Sequence, residues 1–132
     1  MMLKDKVKLG DKPSSAIVAV KDLDRAKRFY GETLGLEATL DSDAVLRFRT
    51  GGETALVVYK SDLAGTNKAN AVVWSAGEDF DGVVDGLRDA GVTFEEYPEL
   101  GMEIENGVHR SDDFKAAWFK DPDGNILHIN SM

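Results

Sequence analysis

The sequence predicts an α+β protein made of two βαβββ modules in a pseudo-twofold repeat. The main observation is that one pattern occurs twice. A strand, an amphipathic helix that opens with Asp22-Leu23-Asp24 and a terminating Gly35 lie in the first half, and the same order recurs around Asp79-Phe80-Asp81 and Gly91. The second observation is that strand patterns follow each glycine. We expect a curved mixed sheet that encloses a pocket, with the helices on the outside.

The first module begins with a strand, because residues 15–20 form a short apolar run. The next helix has acidic residues at its start, where the helix dipole favours them, and Gly35 ends it. Its apolar face consists of Leu23, Ala26, Phe29, Tyr30 and Leu34. Three further strands are predicted, at residues 36–40, 44–49 and 55–60, with Gly51-Gly52 as the turn between the last two.

The second module repeats this order from the strand at residues 71–76. Its helix has an apolar face made of Phe80, Val83, Val84, Leu87 and Ala90. Strands are predicted at residues 92–97, 115–120 and 126–130. Asp121-Pro122-Asp123-Gly124 is a turn, with proline where its fixed φ is accepted and glycine where φ can be positive.

The predicted organisation is an N-terminal arm at residues 1–12, a first module at 13–62 and a second at 63–132, which together form one domain. The polar stretch 61–70 links the modules. Residues 98–114 are the longest segment without a clear pattern, although alternation of Glu103 and Glu105 with apolar neighbours allows a short strand. Such a segment is either functional or an ordered surface excursion.

The composition excludes several classes of function. The chain of 132 residues has no cysteine, which excludes disulfides, thiolate nucleophiles and Cys-ligated metal centres. Its net charge of −8 disfavours nucleic-acid binding and mildly favours a cationic ligand, or it serves solubility alone. No apolar run is long enough for a membrane span and the start is not a signal peptide, so we expect a cytoplasmic protein.

Three stretches carry a family resemblance. The first is Val20-Lys21-Asp22-Leu23-Asp24-Arg25-Ala26-Lys27-Arg28-Phe29-Tyr30 with Leu34-Gly35-Leu36, the second runs from Asp79-Phe80-Asp81 to Leu87-Arg88-Asp89-Ala90-Gly91-Val92, and the third is Trp118-Phe119-Lys120-Asp121-Pro122-Asp123-Gly124-Asn125. In order and spacing they resemble the vicinal-oxygen-chelate superfamily, which contains glyoxalase I, extradiol dioxygenases, and bleomycin- and fosfomycin-resistance proteins. The resemblance implies the paired-module fold and a homodimer, because paired chains in the family often complete the pocket.

The resemblance also implies four metal-ligand positions on the concave face of the sheet, usually His or Glu. In this chain they fall on Ser15, on Val57 or Val58, on Ala71 or Val72, and on His128. A divalent metal needs several nitrogen or oxygen donors, and only His128 is a competent ligand. We therefore expect a pocket without the usual metal and without a cofactor. The predicted ligand-pocket residues are Ser15, Val58, Ala71, Trp118 and His128.

A rebuilt metal site is the alternative. His109 lies on the long segment and can approach His128, with Glu103 or Glu105 as further donors. Some extradiol dioxygenases carry a histidine before the strand that precedes the Asp-Pro-Asp-Gly turn, so His109 has a counterpart in the family. This site would make the protein a metal-dependent lyase, isomerase or dioxygenase.

His128 has two interpretations. Strand alternation directs it into the pocket together with Ile126 and Asn130, where it would orient a ligand or act as a general base. Alternatively it is a polar side chain satisfied by a neighbour.

Aromatic and basic side chains are the other pocket candidates. Trp118 lies on the adjoining strand and either stacks on a flat or cationic ligand or fills the core; Trp74 and Tyr59 are similar. Arg47 and Arg49 share one face of a strand and meet an anionic ligand, a carboxylate or solvent.

The first functional hypothesis is a homodimeric, metal-free protein of the bleomycin-resistance type that holds a small organic molecule, cationic or aromatic, between aromatic walls. The second is the metal-dependent enzyme. The third is a structural or partner-binding protein with a vestigial pocket. Neither nucleic acid nor a membrane is an expected partner.

Overall fold

The computed structural model describes residues 8–132 and confirms the predicted α+β class. The predicted arm at residues 1–12 lies mostly outside the described residues, and its last part contains a short helical turn at Leu9–Asp11. The elements, in chain order, are β1 Ala16–Val20, α1 Leu23–Lys27 continued by a π-helical turn at Arg28–Thr33, β2 Ala38–Asp41, β3 Val45–Arg49, β4 Ala55–Lys60, β5 Asn70–Ser75, α2 Phe80–Asp89, β6 Phe94–Glu95, β7 Glu103–Glu105, β8 Val108–Ser111, β9 Phe114–Lys120 and β10 Ile126–Asn130.

The helix of the first module begins and ends as its sequence predicts. The Asp22 carboxylate accepts a hydrogen bond from the backbone N–H of Arg25, 3.1 Å away, and so caps the helix N-terminus. The same hydrogen bond holds the pKa of Asp22 below its usual value. After the helix the chain reverses at Gly35, whose φ of 75° lies in the left-handed region.

The second module has the same order with one addition. The strand predicted at residues 92–97 is only two residues long, Phe94–Glu95, and the segment 98–114 contains the hairpin of β7 and β8. Asn106 and Gly107, with φ of 50° and 80°, form its two-residue turn. Positive φ at both central residues is typical of a type I′ hairpin turn. The long segment therefore contains an ordered β-hairpin.

Each module contributes a mixed sheet. The strand order is β1-β4-β3-β2 in the first and β5-β10-β9-β8-β7 in the second, with β6 also paired to β9. In each, the opening strand pairs in parallel with the last strand of its module. The edge strands β1 and β5 lie side by side. The two sheets thus form one open, unclosed surface.

The helices cover one side of this surface. A single hydrophobic core contains side chains from both modules, so the two sheets turn their apolar faces to the same side. The residues of this core are Val18, Val20, Ala26, Tyr30, Leu46, Phe48, Leu56, Val58, Val72, Phe80, Val84, Val108, Ala117, Phe119, Leu127 and Ile129. We call the opposite side of the two sheets the open face.

Hydrogen bonds from the turn before β10 join the modules. The buried carboxylate of Asp121 accepts a hydrogen bond from the Tyr30 hydroxyl at 2.7 Å and others from the backbone and side chain of Asn125. The Asn125 amide also donates to the carbonyl of Ala19 at 2.8 Å. Burial and the adjacent Asp121 raise the pKa of Tyr30, so its hydroxyl stays protonated. This turn fixes the second module against β1 and α1 of the first.

The helices of residues 8–132 include none that is long and apolar enough to cross a membrane.

Candidate ligand-binding site

Strand pairing places one row of side chains across the open face of the first sheet. Arg47 on β3 pairs with Val57 on β4, and Val57 pairs with Ile17 on β1. Paired residues of neighbouring strands project to the same side of a sheet. Ile17 is 59% exposed, although it lies in the middle of a strand next to a packed core. The row thus begins at the positively charged Arg47 and ends at the exposed apolar side chain of Ile17.

A second row crosses the other sheet. Val73 on β5 pairs with His128 on β10, and His128 pairs with Trp118 on β9. Val73 is 56% exposed. Because β1 and β5 are adjacent, Ile17 and Val73 together form an apolar patch at the centre of the open face.

Trp118 is the centre of an aromatic cluster on this face. Its ring stacks on His128 with centroids 4.6 Å apart and an interplanar angle of 24°. It meets Tyr97 and His109 edge to face, at 5.4 and 4.9 Å. Its indole N–H donates to the side-chain oxygen of Asn70 at 3.2 Å. The cluster covers the part of the second sheet around β9, whereas Ile17 of the first sheet is exposed in residues 8–132.

His128 is a neutral imidazole held beneath Trp118. It is 8% exposed, and its Nδ1–H donates to the carbonyl of Ala117 at 3.1 Å. Its Nε2 accepts from the Asn130 amide at 3.3 Å. Burial lowers the pKa of His128, because the charged ring would lose its hydration. Only the Nε2 edge of His128 can turn to a ligand, and only by giving up Asn130.

Both ring nitrogens of His109 are hydrogen-bonded to backbone groups. It has no exposed surface, its Nε2 accepts the backbone N–H of Tyr97 at 2.9 Å, and its Nδ1 donates to the carbonyl of Gly107 at 3.2 Å. These hydrogen bonds hold the β7–β8 hairpin against the backbone at Tyr97. A role in binding a metal would require both of them to break.

The structure brings some predicted pocket residues together and relocates others. Trp118 and His128 are in contact, as described. Ser15 lies elsewhere, in a hollow of ≈ 460 Å³ beside Val73, Trp74 and Ser75. Val73 lines this hollow and also pairs with His128, so it links the two groups.

Two predicted positions need correction. Val58 has no exposed surface and belongs to the core, because the neighbouring Val57 occupies the open face. Ala71 lies at the irregularity between Ile126 and Leu127 and packs against the core, so the position opposite His128 falls to Val73. Trp74 also packs on the core side, stacked on Phe119 with centroids 6.5 Å apart.

The four family ligand positions do not fit a metal ion. They fall on Ser15, on Val57 or Val58, on Ala71 or Val72, and on His128, which together offer a hydroxyl, two alkyl groups and one imidazole. Within residues 8–132, no cluster of three or more His, Asp or Glu side chains can hold a metal ion either. Divalent metals in catalytic sites need three or more such donors.

Sequence reasoning missed Tyr97, Ile17 and Val73. Ile17 follows Ser15 at the two-residue period of a strand, so alternation alone could have identified it. No comparable signal marks Tyr97, whose place depends on the hydrogen bond to His109.

The fold is that of two paired modules whose sheets carry helices on one side and an apolar and aromatic surface on the other. The sequence profile of the Glyoxalase/Bleomycin resistance protein/Dioxygenase superfamily matches residues 12–129, and the chain belongs to that superfamily. The comparison with curated proteins finds no match.

Solved structures share the fold. A glyoxalase/bleomycin resistance protein from Streptomyces sp. CB03234 superposes with a TM-score of 0.66 at 23% identity, covering 90% of this chain and 99% of that one. A glyoxalase/bleomycin resistance protein/dioxygenase from Alicyclobacillus acidocaldarius gives 0.71 at 16% identity, with 94% and 93% covered. A lactoylglutathione lyase from Agrobacterium tumefaciens gives 0.69 at 17% identity, with 93% and 95% covered. At these identities the likeness concerns the fold alone.

Proposed function

We propose that this protein binds a small organic molecule on its open face, without a metal ion held by its own side chains. The observation that carries the proposal is the patch of Ile17 and Val73, which exposes apolar surface at the centre of the molecule beside the Trp118–His128 stack. Exposed apolar surface of this kind typically contacts a ligand or a second chain. A flat ring lies well against it, because the patch is bordered by aromatic side chains.

A second copy of the chain completes the pocket in this proposal. The first sheet is uncovered on its open face, so a ligand there would keep one side in water. Small-molecule sites bury most of the ligand surface. A homodimer that covers the open face supplies the missing wall.

The metal-dependent enzyme is the weaker candidate. His109 lies close to Trp118, but both its nitrogens are engaged, and Glu103 and Glu105 pair away from it, with Arg110 and Val108. The donor set of the family positions supports binding without a metal.

Two measurements test the proposal. The purified protein is incubated separately with Ni, Co, Mn, Fe or Zn, desalted and analysed for metal, and we expect no stoichiometric retention. A thermal-shift screen with small organic molecules should find compounds that raise Tm, since a ligand stabilises the folded state.

A matched pair of variants locates the binding. Val73→Gln places a polar side chain on the apolar patch and should abolish the shift, whereas Leu63→Gln, at an exposed leucine of the linker, should preserve it. Tight retention of one metal per chain would favour the enzyme. No stabilising compound at all would favour the vestigial-pocket alternative.

A further inference from the structure

We propose that the ligand of the open face carries an anionic group, carboxylate, phosphate or phosphonate, and that Arg47 selects it. This inference rests on the proposed function and names the chemical class of its ligand. The negative net charge of the chain favours a cationic ligand. The inference is the opposite, because the charge around the site is positive.

The first step is the charge of the open face. The strand residues that project to this face include three cations, Arg47, Arg49 and Lys120, and one carboxylate, Glu95. The chain as a whole carries a net charge of −8. The strand residues of this face thus include more cations than carboxylates, whereas the chain as a whole has 16 basic and 24 acidic residues. A local field of this sign attracts anions.

The second step is the pairing of these cations. Lys120 lies 3.5 Å from Glu95, and Arg49 lies 3.7 Å from Glu37. Arg47 is exposed and makes no ion pair with any partner in residues 8–132. It is the cation of this face that a ligand can engage without displacing a carboxylate.

The third step is distance. Neighbouring strands are about 4.8 Å apart, so the backbone of Arg47 lies about 10 Å from that of Ile17, across Val57. An extended arginine covers most of that span. A molecule with a flat ring on Ile17 and Val73 and an acidic group a few bonds away therefore reaches the guanidinium. The planar guanidinium also binds carboxylates and phosphates through two parallel hydrogen bonds.

The fourth step is the charge that surrounds Arg47. Glu95 and Glu37 are paired with Lys120 and Arg49, and His128 is neutral beneath Trp118. Glu53 is the acidic residue that lines a hollow together with Arg47 and Arg49. Two cations and one carboxylate thus line this hollow, and we expect it to favour anions over cations.

The experiment compares three probes of the same shape: naphthylacetate, naphthylethanol and naphthylethylamine. Binding to the full-length protein is measured by calorimetry at low salt. We expect the anion to bind about tenfold more tightly than the alcohol, as is typical of a hydrogen bond to a charged group, and the amine to bind most weakly. The preference should shrink as NaCl is raised.

Arg47→Gln should remove the preference for naphthylacetate over naphthylethanol. The matched control is Arg28→Gln, which removes one positive charge from an exposed position on the helix side of the sheet. It should retain the preference. If Arg28→Gln reduces the preference equally, net charge and not Arg47 is responsible, and the inference is overturned.

The outcomes separate this inference from the proposed function. If the alcohol binds as tightly as the anion, or the amine binds best, the ligand class is wrong while the open-face pocket stands. If no probe binds, both proposals are overturned for ligands of this size.

Discussion

At the scale of single residues, the two histidines show how burial and hydrogen bonding decide what an imidazole can do. Both lie against Trp118, and both have two hydrogen-bond partners. The partners of His109 are backbone groups that hold a hairpin, so its role is structural. One partner of His128 is the side chain of Asn130, whose oxygen accepts a hydrogen bond from the backbone N–H of Met132. His128 thus differs from His109 in having one side-chain partner.

The first prediction concerns the pH dependence of stability. Burial lowers the pKa of His128 in the folded state, whereas the unfolded chain has an ordinary histidine pKa of about 6.5. The unfolded state thus binds the proton more readily. The contribution of His128 to stability is complete above the unfolded pKa and is lost as the pH falls through it towards the folded value.

The measurement is the urea midpoint of the wild type and of His128→Gln at pH values from about 7.5 down to about 5, which lie on both sides of the ordinary histidine pKa. We expect the wild type to lose more stability on acidification than the variant. Titrating carboxylates affect both proteins equally. Parallel pH profiles would contradict the prediction.

At the scale of elements, the Asp-Pro-Asp-Gly turn is more than a chain reversal. Asp121 accepts hydrogen bonds from Tyr30 on the first helix and from Asp123 and Asn125 of its own turn. Arg25 adds an ion pair to Asp123 at 2.9 Å. The sequence identifies the turn, but its role as a connection between modules is visible only in the fold.

The second prediction follows from this connection. Tyr30→Phe removes one donor from a buried carboxylate and should cost about 1–3 kcal/mol of unfolding free energy. Tyr59→Phe is the control, since the Tyr59 hydroxyl has no hydrogen-bond partner in the part of the chain described, and it should change stability by less than about 0.5 kcal/mol. Urea unfolding measures both. Equal costs for the two variants would mean that the Tyr30–Asp121 bond does not connect the modules energetically.

At the scale of the whole molecule, the two sheets differ in how far their open faces are covered. Around β9 the second sheet is covered by Trp118 and by the loop that carries Tyr97, whereas Ile17 of the first sheet and Val73 at the edge of the second are exposed in residues 8–132. Within one chain nothing in residues 8–132 shields Ile17. This asymmetry supports the proposal that a second copy completes the site.

The third prediction is that Ile17→Glu dissociates the homodimer without unfolding the chain. Ile17 is exposed, so a charge there costs the monomer little, but a buried unpaired charge in an interface is costly. Sedimentation velocity should show dimers for the wild type and for the control Leu63→Glu, and monomers for Ile17→Glu. A monomeric wild type would contradict the proposed pairing.

The sequence was sufficient to predict the repeat, both helices and most strands, because hydrophobic periodicity and glycine stops are local signals. The sequence was not sufficient to predict which residues of β5 face each side of the sheet. The irregularity between Ile126 and Leu127 shifts the register, so Ala71 has no partner in the ladder and Val73 lies opposite His128. The β7–β8 hairpin was predictable, since Asn106-Gly107 between alternating residues is a strong turn signal. The hydrogen bonds that occupy both nitrogens of His109 were not predictable, because they depend on long-range contacts.

The seam between the modules has a further consequence. In residues 8–132, β1 and β5 are neighbours but no backbone ladder connects them. The angle between the sheets is therefore set by the side chains packed along the seam and by the hydrogen bonds of the Asp121–Asn125 turn, while Ile17 and Val73 face outward. A larger or smaller side chain at Ile17 or Val73 would change the shape of the apolar patch as well as its chemistry. Shape selectivity and chemical selectivity are coupled in this protein, and substitutions at the seam would alter both together.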